Sequence, residues 1–257
     1  MENITTTALQ LALAGCSVVP VATDGTKRPA CPWKAYTAQP ANLTQIAEWF
    51  PAGTSLGVGV ITGAVSGNLE MLEFEGRAMD LLPDLEQLIT DNEMSDVWNQ
   101  IRDGWSEQSP SGGLHLFYRI SDGTVPGNQK IAKGPDQLTL IETRGEGGFV
   151  VTAPSNGNVH PSGKPYVRLI GGPDTITTIP RAQRDMLHLI LGTADQTPQP
   201  EPTITVDQKW SEPHTEHPGD VKPGDDYDCL SYTSDAADDP PRGQLGRSRS
   251  THNQHNT

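Results

Sequence analysis

Cysteine is scarce in this chain: three in 257 residues, at positions 16, 31 and 229, with no metal-like spacing between them. No disulfide framework is expected, and free thiols fit a reducing cytoplasm. Long apolar runs are missing too. None reaches the length of a bilayer span, and the opening MENITTTALQLALAGCSVVPV has no basic leader, so neither a membrane segment nor a signal peptide is expected. Aromatic residues make up 5%, which leaves little material for a sheet face that works only by stacking bases. The hydrophobic fraction of 34% is low for a packed domain, and 26 Gly with 22 Pro predict many turns and some unfolded chain.

Positive charge is short as well. Only 18 Lys+Arg stand against 32 Asp+Glu, and a net charge of −14 repels polyanions at long range. The deficit is uneven. Residues 1–195 carry 13 bases and 21 acids, and residues 196–257 carry 5 and 11. Residues 70–107 alone hold 11 acids and 2 bases, whereas 108–195 hold 8 bases and 7 acids. A local basic groove can exist in that later stretch despite the global field.

Periodicity and turn residues divide the first part into short elements. ITTTALQLALA (4–14) reads as an amphipathic helix ended by Gly15, and CSVVPV as a short strand. DGTKRPACPW is a loop stiffened by two prolines. NLTQIAEWF (42–50) reads as a helix capped by Asn42 and closed by Pro51. SLGVGVITG and NLEMLEFEG are strands, and AMDLLPDLEQLITDNE is a broken helical region with Pro83 at a helix start. LHLFYRI (114–120), LTLIET (138–143) and GFVVTAPS (148–155) are further strands, and YVRLI (166–170) is expected to pair with the last of these. RAQRDMLHLILGT (181–193) is a helix ended at Gly192. Strands and helices mix without regular βαβ alternation, which predicts an α+β fold.

Three pieces carry chemistry. In EFE (73–75), alternation puts Glu73 and Glu75 on one face, where two like charges repel unless a cation joins them. In IETRGEGGFVVTAPS (141–155), Glu142 supplies a third carboxylate, with Arg144 on its side. Such a cluster suits divalent cations with oxygen ligands, as phosphoryl and nucleotidyl transfer requires. In SPSGGLH (109–115), Ser111, Gly112 and Gly113 form an N–H-rich loop of the kind that cradles phosphates, and His115 follows where it can touch a triphosphate. Arg144 can neutralise phosphates, and the loop GTKRP adds the mobile cations Lys27 and Arg28.

This ordered set resembles the bifunctional primase–polymerase branch of the archaeo-eukaryotic primase superfamily. The resemblance rests on ALQLALAGCSVVPV…GTKRPACPWKAY, IAEWF, LGVGVITGAVSGNLEMLEFEG, SPSGGLHLFYRI and IETRGEGGFVVTAPS, and covers roughly residues 5–170. The family's acid–x–acid motif falls on Glu73 and Glu75, its small–x–His on Gly113–Leu114–His115, and its later acid on Glu142. The resemblance implies an RRM-like catalytic sheet with an N-terminal α/β unit. It implies Mg²⁺ or Mn²⁺ on Glu73, Glu75 and Glu142, and His115 on the nucleotide's phosphates. The implied activity is DNA priming and polymerisation from NTPs or dNTPs on a single-stranded DNA template, in a phage- or plasmid-type replication protein. The family often has Asp where this chain has Glu73 and Glu142, which bears on metal preference. Two other readings stay open: a non-catalytic RRM-like single-stranded nucleic-acid-binding module using Phe117, Tyr118 and Phe149, and a metal-dependent nuclease or phosphohydrolase.

The expected organisation is a catalytic domain over 1–195, an acidic Pro-rich linker over 196–228 and a tail over 229–257. The linker's KPGDDYD (222–228) resembles the segment that follows this domain in relatives, ahead of a C-terminal helicase or template-binding module. CLSYTSDAADD (229–239) resembles the translation of a transposase adapter used in DNA library preparation, with Ser231 discordant. The tail is therefore read as foreign to the natural protein and disordered.

Overall fold

The computed structural model describes residues 3–198. The rest of the linker, KPGDDYD and the adapter-like tail lie outside the described residues. The chain opens with α1 (Ile4–Leu13), where the Asn3 side chain accepts a hydrogen bond from Thr5 N at 2.9 Å. Then follow β1 (Ser17–Val21), α2 (Leu43–Trp49) and β2 (Gly57–Ile61). Asn42 caps α2 by accepting from Gln45 N at 2.9 Å. Next come β3 (Leu69–Phe74), a 3₁₀ turn over Gly76–Leu81, and α3 (Leu82–Asp91), with Pro83 in its first turn. The remainder is α4 (Ser95–Gly104), β4 (Trp105–Gln108), β5 (Leu114–Ile120), β6 (Gln129–Lys133), β7 (Thr139–Arg144), β8 (Phe149–Thr152), β9 (Val167–Gly171), β10 (Thr177–Ile179) and α5 (Arg181–Gly192).

Two sheets result. The larger runs β6-β7-β3-β5-β4-β9, with every neighbouring pair antiparallel. β10 joins it parallel to the end of β5. The smaller has the order β1-β2-β8 and is antiparallel. This is a mixed fold with an open multi-stranded sheet, RRM-like in its catalytic core. Among the described residues no helix is long and apolar enough to cross a membrane.

Alternation along β3 decides what each face of the large sheet meets. Leu72 and Phe74 enter one core with Leu85 and Ile89 of α3, Trp98 and Ile101 of α4, and Leu187 and Leu191 of α5. Leu69 and Met71 enter a second core with Ala8 and Leu11 of α1, Ile46 of α2 and Val58 and Val60 of β2. The large sheet is thus covered by three helices on one face and by the N-terminal α/β unit on the other. Trp105 and Phe117 stack in the second core, their ring centroids 3.8 Å apart. Burying each large apolar side chain of this kind contributes roughly 1.5–3 kcal/mol.

One pairing differs from expectation. Strand 166–170 does not pair with 148–155: β9 pairs with β4, through Glu107↔Arg168 and Gln108↔Val167. β8 pairs instead with β2, and Tyr166 N donates to Ser155 O at 2.8 Å. The short polar strand WSEQ, which lacks a clean alternating signal, takes the place next to β9.

Candidate metal and nucleotide site

Five antiparallel pairings put one rank of residues across six strands: Lys130–Glu142–Glu73–His115–Glu107–Arg168. Residues directly opposite in such pairs share a face, so this rank is a continuous row of charge. Glu73 is also on the face of Met71, toward the N-terminal unit. β3 ends at Phe74, and Glu75 follows in extended conformation before the 3₁₀ turn. Carboxylate oxygens of Glu73, Glu75 and Glu142 all lie within 4.8 Å of one another. The three acids thus come together from β3, the residue just beyond it, and the neighbouring β7.

His115 Nε2 lies 3.2 Å from Glu73 Oε1. Burial works to raise the Glu73 carboxyl, but His115, Arg144 and Lys27 outweigh it and hold the group below its ordinary value. Burial likewise works to lower His115, and Glu73, Glu107 and Glu75 overcome it and raise the imidazole. Each group thus favours the charged form of the other. The ring's other nitrogen, Nδ1, is buried without a hydrogen-bond partner. Glu75 is pushed up by burial and then by Glu73 and Glu142. Glu142 is pushed up by burial, with Arg144 opposing and Glu73 adding to it, and its carboxylate is paired with the Arg144 guanidinium. Two acids destabilised by burial and by the neighbouring Glu73 charge, in an all-oxygen donor set, are an arrangement that a divalent cation relieves.

A cavity of about 350 Å³ opens on this cluster. Glu73, Glu75, His115 and Arg144 line it with Lys27 and Ser111, and Phe149 and Tyr166 supply apolar wall. Lys27 reaches it from the DGTKRP loop, which is tied to the far wall by the bond from Gly25 N to Asn158 O at 2.5 Å. The loop before β5 departs from the phosphate cradle expected of it. Gly112 N donates to Ser109 O at 2.9 Å and Gly113 N to Ser109 Oγ at 3.1 Å, so both amides are spent inside the turn. Gly112, at φ 85, makes the turn. A Cβ at Gly113 would collide with the Phe74 carbonyl. The glycines bring the loop hard against the end of β3, and Ser111 is its side chain at the cavity.

Sequence reasoning missed Glu107, Arg168 and Tyr166. Glu107 is fully buried; its Oε1 accepts from Trp105 Nε1 and its Oε2 from Ala153 N, each at 2.8 Å. It stands on the far side of His115 from Glu73 and links the catalytic sheet to the chain leaving β8. Only the pairing of WSEQ beside LHLFYRI reveals it. The aromatic face of the binding-module reading is not there for two of its three residues. Phe117 and Tyr118 are fully buried, Phe117 under the N-terminal unit and Tyr118 under the helices.

An acid cluster with a paired histidine on the open face of an RRM-like sheet is an arrangement that nucleotidyl transfer can use. Residues 8–182 match the family described as bifunctional DNA primase/polymerase, N-terminal. The chain belongs to this family. A search of curated proteins gave no match.

Proposed function

We propose that residues 1–195 form a metal-dependent primase–polymerase domain that joins nucleotides on a single-stranded DNA template, with Glu73, Glu75 and Glu142 as the ligands of Mg²⁺ or Mn²⁺. The observation that carries this is the convergence of three carboxylates within 4.8 Å of one another beside a histidine paired with Glu73, at a cavity large enough for a triphosphate's reacting end. Divalent cations bound there supply activation of the attacking 3′-hydroxyl and charge neutralisation for the triphosphate and departing pyrophosphate. The protein's own groups do the rest. His115, held by Glu73, presents a cationic ring to phosphate oxygens. Arg144 leaves or shares its bond with Glu142 to meet the same phosphates. Lys27, on an exposed loop, closes the charge from the other wall, and Ser111 offers a hydroxyl at the rim.

The domain is proposed to act within a longer replication protein, ahead of a helicase or template-binding module, in the cytoplasm. Glu73→Ala or Glu142→Ala should abolish primer extension while circular dichroism and thermal unfolding show an intact domain. Retained extension in either folded variant would sink the assignment. Chain growth with pyrophosphate release separates this activity from a nuclease on the same carboxylates, which would shorten DNA.

A further inference from the structure

Acids are absent from four long stretches of the chain, 3–23, 25–47, 49–69 and 147–173, and the last is the longest. From Gly147 to Pro173 there is no Asp or Glu, in a protein where 32 of 257 residues are acidic. The same stretch carries His160, Lys164 and Arg168, and Lys164 is exposed. It begins with β8, whose Phe149, Val150 and Val151 wall the catalytic cavity, and ends with β9, the edge of the large sheet. On β9, Val167 is 42% exposed, Leu169 50% and Ile170 44%. A groove of about 500 Å³ runs beside them, lined also by Pro154 and Asn156. Tyr166 lines both this groove and the catalytic cavity, so the two depressions share a wall.

We propose that this groove carries the single-stranded DNA template away from the catalytic cavity, with bases against the apolar side chains of β9 and phosphates toward Lys164. The proposal rests on the polymerase reading above and names where its template lies. A chain of net charge −14 cannot gather a polyanion by its overall field. It needs a path stripped of acids, and this is such a path, leading out of the cavity where the template must be read. Single-strand sites combine a cationic path for the backbone with side chains that take up base faces, aromatic ones most strongly, and on β9 aliphatic side chains would take that place. A peptide adding to the β9 edge, or a second copy of the chain, would use the same apolar strand. Neither would account for the wall shared with the cavity.

The test uses the full chain with a photo-crosslinking amino acid at Leu169, and a control at Leu189, which is 71% exposed on α5. A labelled single-stranded oligodeoxynucleotide should crosslink at 169 and not at 189. In separate variants, Leu169→Asp with Ile170→Asp should weaken oligonucleotide binding by about tenfold or more. Lys164→Gln should lower the slope of log affinity against log salt by roughly 0.7. Manganese-dependent binding of a nonhydrolysable nucleoside triphosphate should be unchanged in all of these. No crosslink at 169 with nucleotide binding intact would overturn the groove alone, as would a crosslink between two copies of the chain. Crosslinking at 169 without any metal-dependent nucleotide binding would instead overturn the polymerase reading and leave a single-strand-binding groove.

Discussion

Glu107 accepts bonds from the Trp105 indole and the Ala153 amide with no exposure to solvent, so its removal strands two buried donors. Glu107→Ala should lower stability by about 2–4 kcal/mol in urea denaturation. Glu107→Gln, which keeps one accepting oxygen, should cost roughly half as much. Equal losses in the two variants would show that the hydrogen bonds are not what matters there. Gly113→Ala makes a steric case: its Cβ meets the Phe74 carbonyl and lies 3.0 Å from Gly76 N, so the loop or β3 must shift. A loss of about 1–3 kcal/mol is expected, with a fall in primer extension because Glu73 and Glu75 ride on that strand. At this scale the sequence showed Glu73, Glu75, His115 and Glu142, because a like-charge pair in an apolar strand and a later acid are odd enough to notice. Glu107 was invisible, since one acid in a short polar strand is ordinary until its neighbours are known. The amides of Gly112 and Gly113 look free in sequence, and only the fold shows that they are bonded within the turn.

Between elements, the link from α5 to β3 rests on a buried ion pair. Glu70, fully buried in β3, takes two bonds from Arg184 of α5: Nε to Oε2 at 2.9 Å and Nη2 to Oε1 at 2.7 Å. Tyr118 OH donates to Glu70 Oε2 at 2.8 Å and lies 2.9 Å from His188 Nε2. His188 lies 4.0 Å from Glu70 Oε2, a distance that favours its protonation, but the Glu70 charge is already engaged by Arg184. Burial and the charges of Arg184 and Arg181 prevail over Asp185, pushing the imidazole down to about 3. An unfolded histidine titrates near 6.5, so below that pH the unfolded chain binds a proton that the folded one refuses. This contribution is complete above pH 6.5 and is lost as pH falls toward 3, by at most about 1.4 kcal/mol per pH unit. Urea midpoints compared at pH 7 and pH 5 should therefore fall further for the unsubstituted chain than for His188→Gln. An identical fall in both would show that His188 is not the group responsible. Most helices and strands were readable from capping residues and period, as Asn42 and Pro83 illustrate. The partner of YVRLI was not, because it depends on β4, whose four residues carry no clean alternation.

For the whole molecule, composition allowed a local groove without placing one. The balance of 8 bases to 7 acids in 108–195 left room for a groove, yet only the fold brings the acid-free run from 147 to 173 beside the cavity of Glu73 and Glu75. The sandwich of helices, large sheet and N-terminal unit was beyond periodicity, since it depends on which face of β3 each layer covers. The same layering gives the site its character: Glu70 looks toward the helices and is locked in an ion pair with Arg184, while Glu73 looks toward the cavity, where it pairs with His115 beside Glu75 and Glu142. The measurement that bears most directly on this is isothermal titration of Mn²⁺ into the full chain, with and without a nonhydrolysable nucleoside triphosphate, repeated on Glu73→Ala. Metal binding strengthened by nucleotide and lost in the variant is the expected result. Binding that ignores nucleotide, or that survives in the variant, would contradict a shared metal–triphosphate site on Glu73, Glu75 and Glu142.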